Sequence, residues 1–257
     1  AVNSLFLRLK NTYNTDIDYF IAPSNFMKTK LIQGGIEKEK INVIHNFTGQ
    51  NEEVSKPGKN LLYAGRICKE KGVDTLIEAY AQLPKPRPKL VICGTGPIKK
   101  ELERKAEKLK LNIDWRGYVS PDVIKKEMHD SMAVIVPSKW NENCSMTIME
   151  SLALGRPVIA SNAGGNPELI TPGHDGDIFQ ADNPQDLSSA IQGLLSKDLV
   201  QLSQNAAGTG LKCFSVNYHV EQILDLYKSF LSSKYQCTEK QSLKNLLSFT
   251  NCKEVTK

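Results

Sequence analysis

Apolar positions along the chain fall into short runs, separated by stretches where apolar residues recur at helical spacing. "DYFIAP" at 18–23 reads as a buried strand, followed by a helix from about Ser24 to Gly34 and a second short strand, "INVIHN". The polar segment "NEEVSKPGK" at 51–59 carries Pro and Gly and reads as a linker. A regular series follows. Strand "NLLYAG" leads to a helix over 71–83, "KLVICG" to a helix over 97–110, and "IDWRG" to a helix over 120–129. "AVIVPS" leads to a helix after Glu142, and "PVIAS" to a short helix near Pro167–Ile170. Met146, Met149, Leu152 and Ala153 recur at helical spacing and Gly155 stops that helix before Pro157, so it starts near Cys144–Ser145. Helices at about 184–196 and 198–212 come next, then the amphipathic "YHVEQILDLYKSFL". Beyond Ser233 the chain turns polar, with a weak helical pattern around "SLKNLLSF" to which no function is given.

Repeated short strands separated by helices imply an α/β fold, a doubly wound parallel sheet with helices on both faces. Ligands on such sheets bind at the carboxyl ends of the strands, where the strand order reverses. The turns to inspect are therefore Gly65-Arg66, Gly94-Thr95-Gly96-Pro97, Gly117-Tyr118, Ser138 through Glu142, and Ser161 through Gly165.

Bulk properties narrow the function classes. The 257 residues suffice for one large domain or two small ones, and 40% apolar with 24% charged residues is ordinary for a soluble globular protein. No apolar run approaches the roughly 18 residues of a membrane span, and no signal peptide is visible. The first residue is Ala, which raises the expectation of a processed chain or a fragment. The net charge of +5 favours anionic ligands such as nucleotides, or an acidic membrane surface. It is too diffuse for nucleic acid, and no basic patch is interleaved with aromatics. The densest charge run, "KKELERKAEKLK" at 99–110, mixes both signs and reads as a solvated helix face. Six cysteines include no C-x-x-C pair and no nearby His, so they read as free thiols in a reducing cytoplasm and not as a metal site.

Two cations and two carboxylates stand out. Arg66 directly follows a strand and Lys71 comes five residues later, at the opening of the next helix, so both can reach one point above the sheet edge. Each charge-assisted bond from such a cation to a phosphate contributes about 1.5–3 kcal/mol. On spacing alone, two plain surface cations remain the leading reading. The "GTGP" turn is a weak signal, because the full G-x-G-x-x-G fingerprint is absent. Glu142 lies in the loop before a helix whose first N–H groups and dipole suit a phosphate, whereas Glu150 lies more than a turn inside it. The two cannot form an acid/base couple. They suit the flanks of a long ligand, each accepting hydrogen bonds from hydroxyls, and a nucleotide sugar has that shape. Taken singly, each also reads as an ordinary solvated charge.

Three motifs coincide in order: G-R-x-x-x-x-K-G at 65–72, E-x7-E at 142–150, and "GRPVIASNAGGNPELI" at 155–170. Together they resemble the retaining GT-B glycosyltransferases of family 4, as found in bacterial cell-surface polysaccharide assembly, over about Asp18 to Leu195. The resemblance implies a Rossmann-like donor-binding half of a GT-B fold with C-terminal helices. It also implies hexosyltransferase-type chemistry with retention, no cofactor and no metal. By the resemblance, Arg66 and Lys71 hold the donor diphosphate and stabilise charge on the leaving group, and Glu142 bonds the transferred sugar. Gly65 belongs to the same strand-end turn. Backbone N–H groups of Cys144, Ser145 and Met146 touch sugar and phosphate, Glu150 binds the ribose hydroxyls, and Tyr118-Val119 lies beside the base. "CSM" departs from the Pro-Phe-Gly type of sequence common in the family, and "HNF" at 45–47 from the usual Asn-Gly. The donor base and sugar, the acceptor and the linkage stay open.

Relatives of this type pair two Rossmann-like domains around the active site. Residues 1–50 correspond to the last elements of the acceptor-side domain, 51–213 to the donor domain, and 214–257 to a crossing helix and polar tail. His45 matches no motif of the family's catalytic His, His129 and His174 read as surface residues, and His219 lies in the amphipathic helix. The expected partners are a nucleotide sugar, a glycan or lipid-linked acceptor, a chain supplying the N-terminal domain, and the inner face of the cytoplasmic membrane. Two functional readings follow: the donor-binding part of a glycosyltransferase, or a non-catalytic nucleotide-sugar-binding module that acts with a partner chain. The helix over 218–231 is expected to lack its usual partner and to expose an apolar face.

Overall fold

The computed structural model describes residues 11–49 and 56–232. The polar tail beyond Ser233, with Cys237 and Cys252, and most of the linker expected at 51–59 lie outside the described residues. The chain opens with α1 (Thr12–Thr15), β1 (Phe20–Ala22), α2 (Asn25–Gln33) and β2 (Ile41–Val43). β1 and β2 pair in parallel as a two-stranded sheet.

A second sheet follows: β3 (Asn60–Ala64), α3 (Val73–Gln82), β4 (Lys89–Cys93), α4 (Lys99–Lys108), β5 (Ile113–Gly117) and α5 (Pro121–His129). The chain continues through β6 (Ser131–Val136), α6 (Met146–Ala153), β7 (Val158–Ser161), β8 (Gly176–Phe179), α7 (Pro184–Leu195) and α8 (Leu199–Phe214). A last helix, α9, spans 216–232. The strand order is β5-β4-β3-β6-β7-β8 and every pairing is parallel. The order reverses between β3 and β6, so the crevice at the carboxyl ends of these two strands is where a ligand would sit.

The period-2 alternation of the strands sorts their side chains onto two faces. Leu61, Tyr63, Leu90, Ile92 and Ile159 point to one core, with Leu76 and Tyr80 of α3 and Ile191 of α7. Leu62, Val91, Cys93, Val134 and Ala160 point to the other, with Ile148, Met149 and Leu152 of α6 and Ala206 of α8. β6 is buried along its whole length, as a central parallel strand covered on both faces must be. Arg156, just after α6, is fully buried, with its guanidinium spread over the His129 and Gly155 carbonyls and the Ser203 hydroxyl.

Three sequence expectations change. The helix expected over 71–83 is split: Lys69–Lys71 form a 3-10 turn, Gly72 takes φ +66°, and α3 begins only at Val73. The reason is crowding, because a Cβ on Gly72 would stand 1.9 Å from the Pro137 carbonyl oxygen. The short helix near Pro167–Ile170 is a 3-10 turn over Asn166–Glu168. β8 was not foreseen. Its four residues, Gly-Asp-Ile-Phe, form no apolar run, and it gains strand geometry by pairing with β7 at the sheet edge.

The expectation for the last helix holds in part. α9 returns to the N-terminal segment, where the Phe230 ring meets Tyr19 edge-on at 5.6 Å and His219 Nδ1 bonds the His45 carbonyl at 2.8 Å. Val220, Leu224, Tyr227 and Leu231 nevertheless remain exposed. Ile21 of β1 is exposed as well, so an apolar surface runs across both elements.

Candidate functional site

At the β3 end, backbone bonds to the β4 end continue past the last strand residue: Gly65 N–H donates to Cys93 O at 3.0 Å and Ile67 N–H to Thr95 O at 2.9 Å. The close approach needs glycine at 94, where a Cβ would lie 1.9 Å from the Gly65 carbonyl oxygen. A cavity of about 290 Å³ opens here, lined by Gly65, Arg66, Gly94, Thr95, Tyr118 and Val119 among others. Tyr118 stands 80% exposed at the site, and Val119 packs partly into the core beneath it. The Arg66 side chain is exposed and makes no hydrogen bond or ion pair among the described residues.

At the β6 end, the loop 137–145 carries Glu142. Its Oε1 accepts from Lys71 Nζ at 2.6 Å and from Ser138 Oγ at 2.7 Å. The loop is held from both sides. Lys139 and Trp140 donate their N–H groups to Glu70 O, and Gly165 N–H donates to Glu142 O at 2.7 Å. Lys139 Nζ pairs with Asp74 at 2.8 Å and Asp182 at 2.6 Å, fixing the loop to α3. The Ser161 hydroxyl donates to Ser138 O at 2.6 Å, tying in the end of β7.

Tyr63 braces the β3 end. Its hydroxyl donates to Arg66 O at 2.8 Å. Burial pushes this phenol well above the usual tyrosine range, with Cys68 and Glu142 adding to the push and the Arg66 guanidinium opposing it. Arg66 and Glu142 therefore act on this hydroxyl with opposite sign.

Helix α6 starts where the sequence places it. Ser145 is its N-cap, makes no side-chain capping bond, and no acid occupies the first turn. Its positive end is left uncompensated by the protein, the condition for holding an anion. Glu150 lies in the second turn, half-buried. Burial alone lifts its carboxyl above the ordinary range, and no hydrogen-bond or ionic partner meets it among the described residues. Glu142 and Glu150 do not bond to each other, in keeping with their separate positions in the sequence.

Cys144 is partly buried. Burial raises its thiol, a bond to the Asn46 backbone holds it down, and Glu168 raises it further. "CSM" and "HNF" are thus in contact across the two sheets. Glu168 was missed by sequence reasoning, although it ties these units together. Its carboxylate accepts from Asn25 N–H at 2.6 Å, Phe26 N–H at 2.7 Å and Asn25 Nδ2 at 3.0 Å, at the start of α2. Ser138 was likewise grouped in a turn but given no role. Cys68, Cys93, Cys144 and Cys213 are free thiols. Among the described residues no group of three or more His, Cys, Asp and Glu could hold a metal ion, and no helix is long and apolar enough to cross a membrane.

The family model described as glycosyl transferases group 1 matches residues 46–209. The chain is 32% identical over 215 residues to a lipopolysaccharide 1,2-N-acetylglucosaminetransferase of Salmonella typhimurium, covering 72% of this chain and 55% of that protein. It is 28% identical over 174 residues to an alpha-D-kanosaminyltransferase of Streptomyces kanamyceticus, covering 65% of this chain and 45% of that protein. A crystal structure of Anabaena HepE in complex with UDP-glucose superposes with TM-score 0.75 at 25% identity, covering 88% of this chain and 68% of that one. The chain spans about half the length of the curated relatives it matches.

Proposed function

The chain belongs to the glycosyl transferases group 1 family, and on that premise we propose that it is the donor-binding half of a glycosyltransferase. The enzyme would move a sugar, with retention and without a metal, from a nucleotide-diphosphate sugar to a cell-surface glycan or lipid-linked acceptor. Residues 51–213 form the donor unit in this reading, 1–50 the last elements of the acceptor side, and 214–257 the crossing helix and tail. Relatives with lipopolysaccharide and spore-coat names, and the UDP-glucose complex of HepE, support the substrate class.

One observation carries the proposal. The ends of β3 and β6 are neighbours at the switch point and carry Arg66, which has no ion pair among the described residues, the Lys71–Glu142 pair and the uncapped start of α6, while Glu150 is a half-buried carboxylate with no partner among the described residues. The diphosphate lies against Arg66, Lys71 and the α6 N–H groups, Glu142 takes hydroxyls of the transferred sugar, and Glu150 takes the ribose diol. Tyr118 and Val119 flank the base. As the bond from the anomeric carbon to the diphosphate oxygen breaks, negative charge grows on the leaving group. The two cations and the helix end are oriented for that charge before the reaction begins. A thermal-shift screen of nucleotide sugars tests the reading, since a ligand of the folded state raises the melting temperature by mass action. A set in which no nucleoside diphosphate or its sugar raises it refutes the assignment.

A second reading is a nucleotide-sugar-binding subunit completed by a partner chain. The apolar concavity lined by Tyr19, Ile21, Leu226, Tyr227 and Phe230, beside the small two-stranded sheet, favours it. Transfer by the isolated chain rejects this second reading. Binding without turnover, rescued by a separately expressed acceptor domain, supports it.

A further inference from the structure

We propose that the opposite end of the donor sheet carries a second anion site, built to take a phosphate-bearing ligand. It lies at the start of β4 and β5. Four residues of β4 separate it from the Cys93 end, a rise of about 13 Å, so it is not part of the crevice already described. A cavity of about 660 Å³ opens there, lined by Tyr80, Lys85, Arg87, Lys89, Lys110 and Asn112 among others, and no carboxylate lines it. Lys89 is paired with Asp114 at 2.7 Å. Lys85, Arg87 and Lys110 have no ionic partner among the described residues. Three cations thus line one concavity with no carboxylate paired to them among the described residues.

Arg87 gives the second, independent observation. Its guanidinium lies 5.3 Å from the Tyr80 ring centroid and its Nη1 donates to Tyr80 O at 2.9 Å, which fixes its plane. Its Nε–H is buried and has no acceptor. A guanidinium held flat, with one N–H spent on the backbone and its buried Nε–H still without an acceptor, is preorganised for a planar or phosphate oxyanion. Buried donors are ordinarily satisfied, so an open one marks a place for an acceptor. Lys110 sits at φ +51° just after α4, on the turn that carries the chain toward β5.

A competing role exists for these charges. α3 and α4 both end near this cavity, and cations there offset the negative ends of the helix dipoles. The two roles separate by experiment. Inorganic pyrophosphate is titrated into the full 15N-labelled chain while the Arg87 Nε–H resonance is followed. An Arg66→Gln/Lys71→Gln background removes the contribution of the switch-point crevice. The proposal requires a saturable shift of that resonance in both backgrounds. It also requires the double variant Lys85→Gln/Lys110→Asn to weaken binding about tenfold or more. Asn tolerates the left-handed backbone at 110, and both lysines are exposed, so this variant keeps the fold. Sedimentation with phosphatidylcholine vesicles, with and without phosphatidylglycerol, separates the sources. Phosphatidylglycerol-dependent binding lost in the double variant assigns the site to a lipid headgroup, and pyrophosphate binding without vesicle binding assigns it to a soluble phosphate ester. An Arg87 resonance unmoved by either ligand overturns the proposal and leaves the cations as helix-end compensation.

Discussion

Replacing Glu150 by Gln separates the two forces on that side chain. The carboxyl is half-buried, its acidity is weakened by burial alone, and it has no hydrogen-bond or ionic partner among the described residues. In the folded chain the ionised form is therefore disfavoured relative to the unfolded chain. The folded state holds the proton longer, so stability falls as pH rises from the ordinary carboxylate value through the raised one. Gln carries no charge to desolvate, and Glu150→Gln should melt above the parent at neutral pH, with the gap closing in acid. Binding should move the other way. A carboxylate accepting two ribose hydroxyls makes charge-assisted bonds of about 1.5–3 kcal/mol each, against about 0.5–1.5 for neutral ones. Because no partner is freed by the change, nothing offsets the loss, which comes to about 2 kcal/mol, or about thirtyfold in Kd. Calorimetric titration of UDP and melts across a pH series check both halves. Parental affinity would remove Glu150 from the ribose site. A variant less stable at neutral pH would mean that the carboxylate has a stabilising partner.

Three other substitutions test separate parts of the structure. Arg66→Gln should leave urea stability within about 0.5 kcal/mol, because the side chain is exposed and has no ion pair among the described residues, yet lower UDP affinity about tenfold. Gly72→Ala places a Cβ 1.9 Å from the Pro137 carbonyl oxygen at φ +66°, and should cost about 3 kcal/mol or more in urea unfolding, because the strand-end loop must move. Glu168→Ala removes the acceptor of three donors at the start of α2 and should cost about 2 kcal/mol. Hydrogen exchange at the Asn25 and Phe26 amides should speed up in that variant while the β3 amides stay protected.

The strands were legible because β3, β4, β6 and β7 are buried on both faces and read as unbroken apolar runs. β8 was not, since Gly176 and Asp177 hide it and only pairing with β7 defines it. The turns at the strand ends could be named from sequence, and so could the start of α6. What they bond to could not. The Lys71–Glu142 pair joins residues 71 positions apart, and the Glu168 contacts span 142 and 143. No local periodicity encodes such distances. The misplacement of Lys71 onto a helix has a similar origin, because the carbonyl that forces Gly72 into a left-handed turn belongs to Pro137, on another strand end.

The Glu168 clasp also constrains motion. Its carboxylate grips the first turn of α2, while the turn that bears it directly follows Gly165, which bonds the Glu142 backbone. Residues 24–33 should then travel with the loop that carries Glu142 as one rigid body. If the cleft opens and closes around a second lobe, the hinge has to lie on the other side of this clasp, so a label on α2 would follow the six-stranded sheet and stay blind to closure.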